Sequence, residues 1–540
     1  MISRSFKFIV FAILYFPLVS IAQDTKDLDK VDIYTKYKPS LIDARRVETQ
    51  PELKEPEAKE LKLEYKFPDL RYKVQPAFTP IIAQSYKTPP NNYINGNFVK
   101  AGFGNYTTPL LHVQLHNGKN KNYSHGLSFY HLSSNGPSKN KQQSFMDDRI
   151  NLQAARFTNG NTLSAQMGYS RLGYNYYGYN KNENSFKRDS IKQALNNVTG
   201  NVHFDNLKAS RKLKTTFDFD VYHFSTIQQN ELGFRVASMF GGKIANGEFN
   251  FGTAYEGMSS GPDSVKYFRH FVDLHPFYKM KYKNVDLTIG ANSTIFIDTV
   301  GSDFYLYPEF KVDYYVVPEK MRAFVGIGGG LVKGSTRALY NENQFLAENQ
   351  ILKNQNTAYN IYAGIKGKLN KSFDYTLELS QQFTHNLPLY ATDTFKLHKF
   401  QILYDDVNIF KFQAGINYTR FNKLNIGSHF TYYAYNGDAA EAYQRPDFEW
   451  NSRISGTIRE KLTLHGKFYL IGSRHSLVIG SGDIEKLKPI IDLNIGADYR
   501  YKKDLSFFVE LNNLTNQTYQ RWYNYPSFGL NGVAGLTFAF

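Results

Sequence analysis

Cysteine is absent from the chain. That removes disulfides, thiolate metal sites, cysteine nucleophiles and the anchoring residue of a lipoprotein in one step. Also missing is any apolar run of roughly 20 residues after position 22, so the mature chain holds no candidate membrane-spanning helix. Tryptophan is scarce at 2, yet 43 Phe and 41 Tyr bring the aromatic share to 16% while the mean hydropathy stays at -0.47. Many aromatics in a polar chain suit strands that alternate apolar and polar residues. Glycine is missing from residues 23–90, which hold 8 of the 19 Pro, and every one of the 39 Gly follows from Gly96 onward.

These absences divide the chain into three parts. Residues 1–22 read as a signal peptide: Arg4 and Lys7 precede the apolar stretch 8–19, and Ser20, Ile21 and Ala22 offer a small-residue cleavage site before Gln23. Residues 23–90 form a Pro-rich charged tail, expected to lie in the periplasm or the lumen, with a brief helix expected near 57–65 between Pro56 and Pro68. Residues 91–540 carry the third pattern. The formal charge of +16 includes two positive charges from the signal. Lysine and arginine are scattered over loops in an exported chain, which points away from nucleic acid and toward solvated rims and anionic headgroups.

From residue 91 one unit recurs: alternating segment, short polar turn, alternating segment, longer polar loop. Residues 285–292, Val-Asp-Leu-Thr-Ile-Gly-Ala-Asn, put all apolar side chains on one face, as do 410–418 and 491–500. Tight connections at 158–161, 245–247, 283–284, 318–320, 422–423 and 502–504 alternate with long ones at 135–146, 180–194, 257–266, 335–357 and 471–487. Such one-ended asymmetry belongs to a transmembrane antiparallel up-and-down β-barrel with short periplasmic turns and longer extracellular loops. The alternation stays in phase if 399–408 joins the long loop after Phe383 and 409–421 is the next strand. About 22 strands result, an even number, as a single-chain bacterial barrel requires. The chain ends on Phe540, with Ala534, Leu536, Phe538 and Phe540 on one face. That face is expected to meet lipid, and the last strand to pair with the first, since an open edge in hydrocarbon costs several kcal/mol per unpaired group. Phe538 and Phe540 are the expected assembly signal for the outer-membrane insertion machinery.

Residues 507–519, Phe-Phe-Val-Glu-Leu-Asn-Asn-Leu-Thr-Asn-Gln-Thr-Tyr, followed by Tyr525-Pro526 and the terminal aromatic strand, resemble the close of a TonB-dependent receptor barrel. The opening 102–106, Gly-Phe-Gly-Asn-Tyr, resembles barrels of that family from Bacteroidetes-type bacteria. Leu514 stands where Phe is commoner. The resemblance implies an outer-membrane transport protein in contact with lipid, lipopolysaccharide and an envelope partner. It also implies a Gly-rich plug before the barrel, which residues 23–90 do not match. The expectation is therefore a barrel without its own plug, serving as a transport conduit or as a scaffold subunit of an envelope complex. The alternative is a passive porin-like channel for small solutes.

Signs of chemistry are sparse. Residues 329–336, Gly-Gly-Leu-Val-Lys-Gly-Ser-Thr, place Lys333 before the second Gly, the wrong order for a phosphate loop, and read as a Gly-rich strand end. Gly480-Ser481-Gly482 reads as a turn and not a nucleophile elbow. Asp147-Asp148 and Asp405-Asp406 suit Ca2+ only if further oxygens join them, and otherwise read as ion-paired loop ends. No cofactor motif and no enzyme are read. Lumen-facing candidates are Lys411, Lys467, His465, Asp492, Arg500 and Glu510, expected as a hydrated cross-strand ladder of mixed sign.

Overall fold

A computed structural model describes residues 96–540, apart from short stretches at 119, 121, 139, 183–184, 208–211, 263–264, 394–398 and 421–422. The signal region with Ala22 and Gln23, and the tail 23–90, lie outside the described residues.

Alternation of side chains along the strands produces one closed antiparallel sheet of 22 strands. Each strand pairs with its neighbours in the chain, and the first, Phe98–Gly104, pairs with the last, Asn531–Ala539, in a continuous register from Phe98 opposite Ala539 to Gly104 opposite Val533. No edge remains in the membrane. With strands about 4.8 Å apart and tilted about 40°, such a cylinder is roughly 40 Å across. The outward face is apolar: Ile491, Leu493, Ile495 and Tyr499 are all exposed, while Asp492, Asn494, Gly496 and Asp498 alternate with them on the other side. Exposed Tyr432, Trp450 and Tyr469 mark one rim of this belt and Tyr499 and Tyr501 the other, the aromatic girdles of a membrane barrel.

Turns at the end where the first strand begins and the last strand stops are short. At residues 159–160 Gly160 takes φ 92°, a conformation that lets two residues reverse the chain in step with strand twist. The long connections all leave the opposite end. There the loop expectation for 399–408 is corrected: Phe400–Arg420 is one strand of 21 residues paired to Phe373–Thr392, with Phe400 opposite Thr392 and Asp405 opposite Leu387. This hairpin rises beyond the mouth. Its upper part buries Phe400, Val407 and Ile409 on protein instead of turning one face to lipid, so the two-residue alternation that marks membrane strands fades. The 257–266 connection is also shorter than expected, because strands run to Gly261 and resume at Tyr267.

Candidate functional site: a loop cap across the mouth

Buried aromatics concentrate at the long-loop end. Tyr174, Tyr176 and Tyr179, Leu339, Tyr340, Phe345 and Leu346, Tyr390 and Phe400, and Trp522 and Tyr525 belong to one core. Counted around the barrel, the loop 176–191 joins strands five and six, 333–354 joins thirteen and fourteen, and 513–530 joins the last two. They start from well-separated parts of the rim and still touch. The Phe345 and Tyr525 rings stack at 3.7 Å, Tyr174 meets Phe345 edge-on at 5.6 Å, and Tyr177 meets Tyr525 at 4.9 Å. Three loops can meet this way only by reaching over the opening.

Hydrogen bonds and ion pairs lock the meeting. Tyr176 donates to the Leu346 carbonyl at 2.9 Å, Tyr174 to the Gln344 carbonyl, and Gln143 to the Pro526 carbonyl at 2.6 Å. The tall hairpin contributes backbone: Phe400 N–H donates to Phe345 at 2.9 Å, and Ala347 N–H to Phe400 at 2.8 Å. Its other edge receives the small hairpin of Arg474–Leu477 and Ile484–Leu487 through Ile479 N–H donating to the Thr392 carbonyl at 2.8 Å. Arg445 pairs with Glu342 at 2.7 Å and Lys399 with Glu348. Arg474, fully buried, donates to the carbonyls of Gln520 and Arg521 at 2.8 and 2.6 Å. Burial and the nearby Arg521 guanidinium push its pKa down to about 10.

The base of 333–354 is fixed to the wall. Lys333 bridges Glu256 at 2.8 Å and Asp273 at 2.7 Å. Arg269 donates to the Gly334 carbonyl and to Asn354 Oδ1 at 2.6 Å, pinching the loop's two ends together. Gly334 is required here, because a Cβ would collide with the Lys353 carbonyl. The fully buried carboxylate of Glu231 accepts from the Tyr222 hydroxyl at 2.8 Å, the Ser335 hydroxyl at 2.7 Å and Thr336 N–H at 2.7 Å. The Gly-rich stretch is thus the hinge end of the cap, with its lysine held by two acids. Ser481 occupies a turn, where its hydroxyl accepts from Asp483 N–H at 3.3 Å.

Burial dominates cap electrostatics. It pushes Tyr340 up to about 12, and drives the phenols of Tyr176, Tyr177 and Tyr525 upward as well.

Of the lumen-facing candidates, His465 and Glu510 meet at 3.0 Å, in a group that also contains Asp498 at 3.6 Å from His465 and Lys100 at 3.6 Å from Glu510. Asp492 accepts from the Tyr519 hydroxyl at 2.7 Å. Lys411 lies 5.9 Å from the Tyr433 ring, Lys467 stands between Arg453 and Asn494, and Arg500 is opposite Ser506. Those three do not join the cluster. Lys100, Asp498 and Tyr519 were not among the lumen-facing candidates, although Asp498 lies on the polar face of 491–500 and alternation in the first strand would have marked Lys100. Phe538 and Phe540 are exposed with rings 5.9 Å apart, and Phe540 N–H donates to the Asn97 carbonyl at 3.0 Å. Asp147 pairs with Arg149 and Asp148 with His131, both at 2.6 Å. Asp406 pairs with His385 at 2.8 Å, and Asp405 accepts from the Asp438 and Ala439 amides at 3.2 Å. Among the described residues no group of three or more acids and histidines is placed to hold a metal ion.

A closed 22-strand cylinder with an apolar outside is an outer-membrane barrel, and in fold it is of the TonB-dependent-receptor type. Solved structures with the same fold include the FrpB iron transporter of Neisseria meningitidis (TM-score 0.65, 11% identity, 82% of this chain and 81% of that one). Others are the ferric-catecholate import receptor Fiu of Escherichia coli K12 (0.61, 10%, 82% of each) and the siderophore receptor PiuA of Acinetobacter baumannii (0.62, 9%, 82% and 81%). No family model matches the sequence, and no curated protein is similar to it.

Proposed function

We propose that the protein is an outer-membrane transport barrel without a plug of its own, a conduit whose outer mouth is closed by its own loops and opens only when a ligand or an envelope partner displaces them. The observation that carries this reading is the Phe345–Tyr525 stack at 3.7 Å, which joins loops rooted far apart on the rim. A passive diffusion channel needs an unobstructed mouth, and a hydrophobic core with locked ion pairs over the opening speaks against it. The His465–Glu510 group and its neighbours supply a wetted wall along the path. A scaffold role in an envelope complex uses the same closed barrel with the opening step left to its partner.

Conductance of the purified full chain in planar bilayers tests the reading. The wild type is expected to be nearly silent, and a variant with 336–350 replaced by a short Gly-Ser linker to pass large steady currents. Large steady currents through the wild type would replace the reading with the porin-like one. A silent loop variant that is still folded would show that the cap is not the seal.

A further inference from the structure

On the outward face, five strands toward the carboxyl end of the chain carry a depression at the periplasmic end. Cross-strand registers align Leu424, Gly456, Leu464, Ala497 and Val509 in one row and Ile454, Gly466 and Ile495 in the next. Large apolar residues fill most outward positions of this barrel, but Gly456, Gly466 and Ala497 leave a groove of about 610 Å3 winding around Leu464. That volume lies in the range of about 300–1,000 Å3 typical of small-molecule sites. Its walls are Ile454, Ile495, Val509 and Leu511, and Lys423 stands at its mouth.

Three consecutive periplasmic turns overhang this end of the belt, just beyond Tyr499 and Tyr501. They contain Lys423, Arg459, Lys461, Lys502 and Lys503 against Glu460 and Asp504, and all seven side chains are exposed. Two of the turns are tied to the end of the adjacent strand through backbone: Thr457 N–H donates to the Lys423 carbonyl at 2.8 Å and Arg500 N–H to the Lys461 carbonyl at 2.7 Å. None of the five cations forms a salt bridge among the described residues, whereas Lys368, near the periplasmic end of its strand, reaches Asp374 at 3.9 Å.

We propose that this is a binding site for an anionic phospholipid of the periplasmic leaflet. One acyl chain lies in the groove, and the phosphate is held by Lys423 and Lys461. The apolar groove is continuous with the lipid belt, so its occupant is a hydrocarbon chain. The excess of cations at the headgroup level selects an anionic headgroup over a zwitterionic one. The position at the short-turn end excludes lipopolysaccharide, which occupies the other leaflet. A second copy of the chain would bring five more cations against these five.

The test is native mass spectrometry of the full chain released from nanodiscs of equal phosphatidylglycerol and phosphatidylethanolamine. Wild type is expected to retain phosphatidylglycerol preferentially. The pair Lys423→Gln and Lys461→Gln is expected to reduce that retention about five-fold per lysine removed. Lys283→Gln, on a distant turn, leaves it unchanged. Gly456→Leu, whose added Cβ meets only Leu424 and the Lys423 carbonyl at ordinary contact distances of 3.6 and 3.7 Å, is expected to abolish retention of both lipids. Folding is checked by gel mobility before heating, and Ala497→Leu takes its place if it does not fold. Equal retention of the two lipids by wild type, wild-type retention by the groove-filled variant, an equal loss in Lys283→Gln, or a dimer in place of bound lipid would each overturn the proposal.

Discussion

Glu231 shows how one side chain sets the cap. It lies at the top of its strand with no exposed surface, and its two oxygens receive the Tyr222 and Ser335 hydroxyls and the Thr336 amide. Glu231→Ala strands these donors in a buried site, costing about 1–3 kcal/mol for each one left unsatisfied. Amide exchange across 335–342 should accelerate at least ten-fold with the barrel amides unchanged, and Glu231→Gln, which keeps one carbonyl acceptor, should fall between. Buried phenols add a pH dependence. Tyr340 has its pKa raised from 10.0 to about 12 by burial, so its neutral form is favoured in the closed cap. The corresponding stability, about 3 kcal/mol, is fully present below pH 10 and is lost as pH rises toward 12. Tyr176, Tyr177 and Tyr525 are raised in the same direction. Arg474 has the opposite sign, because lowering the pKa of a buried base makes the closed state gain stability above pH 10. Four phenols outweigh one guanidinium. An alkaline titration followed by tyrosinate absorbance should therefore show the exposed tyrosines ionising first, and a second, cooperative step coincident with loss of near-ultraviolet dichroism. A single non-cooperative curve would contradict the closed aromatic core.

Among the elements, the tall hairpin supplies Tyr390 and Phe400 to the cap core. Phe400 is fully buried, touches the Trp522 ring at 5.5 Å and the Tyr525 ring at 6.1 Å, and exchanges backbone hydrogen bonds with residues 345–347. Phe400→Ala removes an aromatic core residue, a loss of about 3–5 kcal/mol in a site that cannot collapse. It should convert the nearly silent barrel into one that flickers open in single-channel records, whereas Leu403→Ala, on the exposed side of the same strand, should not. The sequence shows this hairpin poorly. Strands such as Val285–Asp298 or Ile490–Arg500 separate lipid from water, so their apolar period of two is visible without any structure. Above the mouth both faces of 400–409 meet protein or solvent irregularly, and the period disappears. The cap core was illegible for a related reason: Tyr174 at the end of its strand, Phe345 and Tyr525 are far apart in sequence, and the latter two sit in long connections with no sustained periodicity. Inward positions such as His465 and Glu510 could be read from alternation, but the 3.0 Å contact between strands could not.

For the molecule as a whole, closure depends on a seam with little room. The first and last strands are among the shortest, at 7 and 9 residues, and they pair Gly102 directly with Gly535. A Cβ on Gly535 would run into the Ala101 carbonyl and the Gly102 backbone, and backbone cannot rotate aside as a side chain can. Gly173 is different, since a Cβ there meets only Met146 atoms at 3.7 Å or more. Gly535→Val should therefore stop the first and last strands from pairing. The open edges would then expose N–H and C=O groups to hydrocarbon at several kcal/mol each, more than the few kcal/mol by which most single substitutions act. The expected result is a chain that no longer shows the heat-dependent shift in gel mobility of a closed barrel, while Gly173→Ala shifts as wild type does. If Gly535→Val still closed and migrated as wild type, the seam would have to lie between other strands. The register from Phe98 opposite Ala539 to Gly104 opposite Val533, and with it the role of the terminal aromatic strand in sealing the cylinder, would then be wrong.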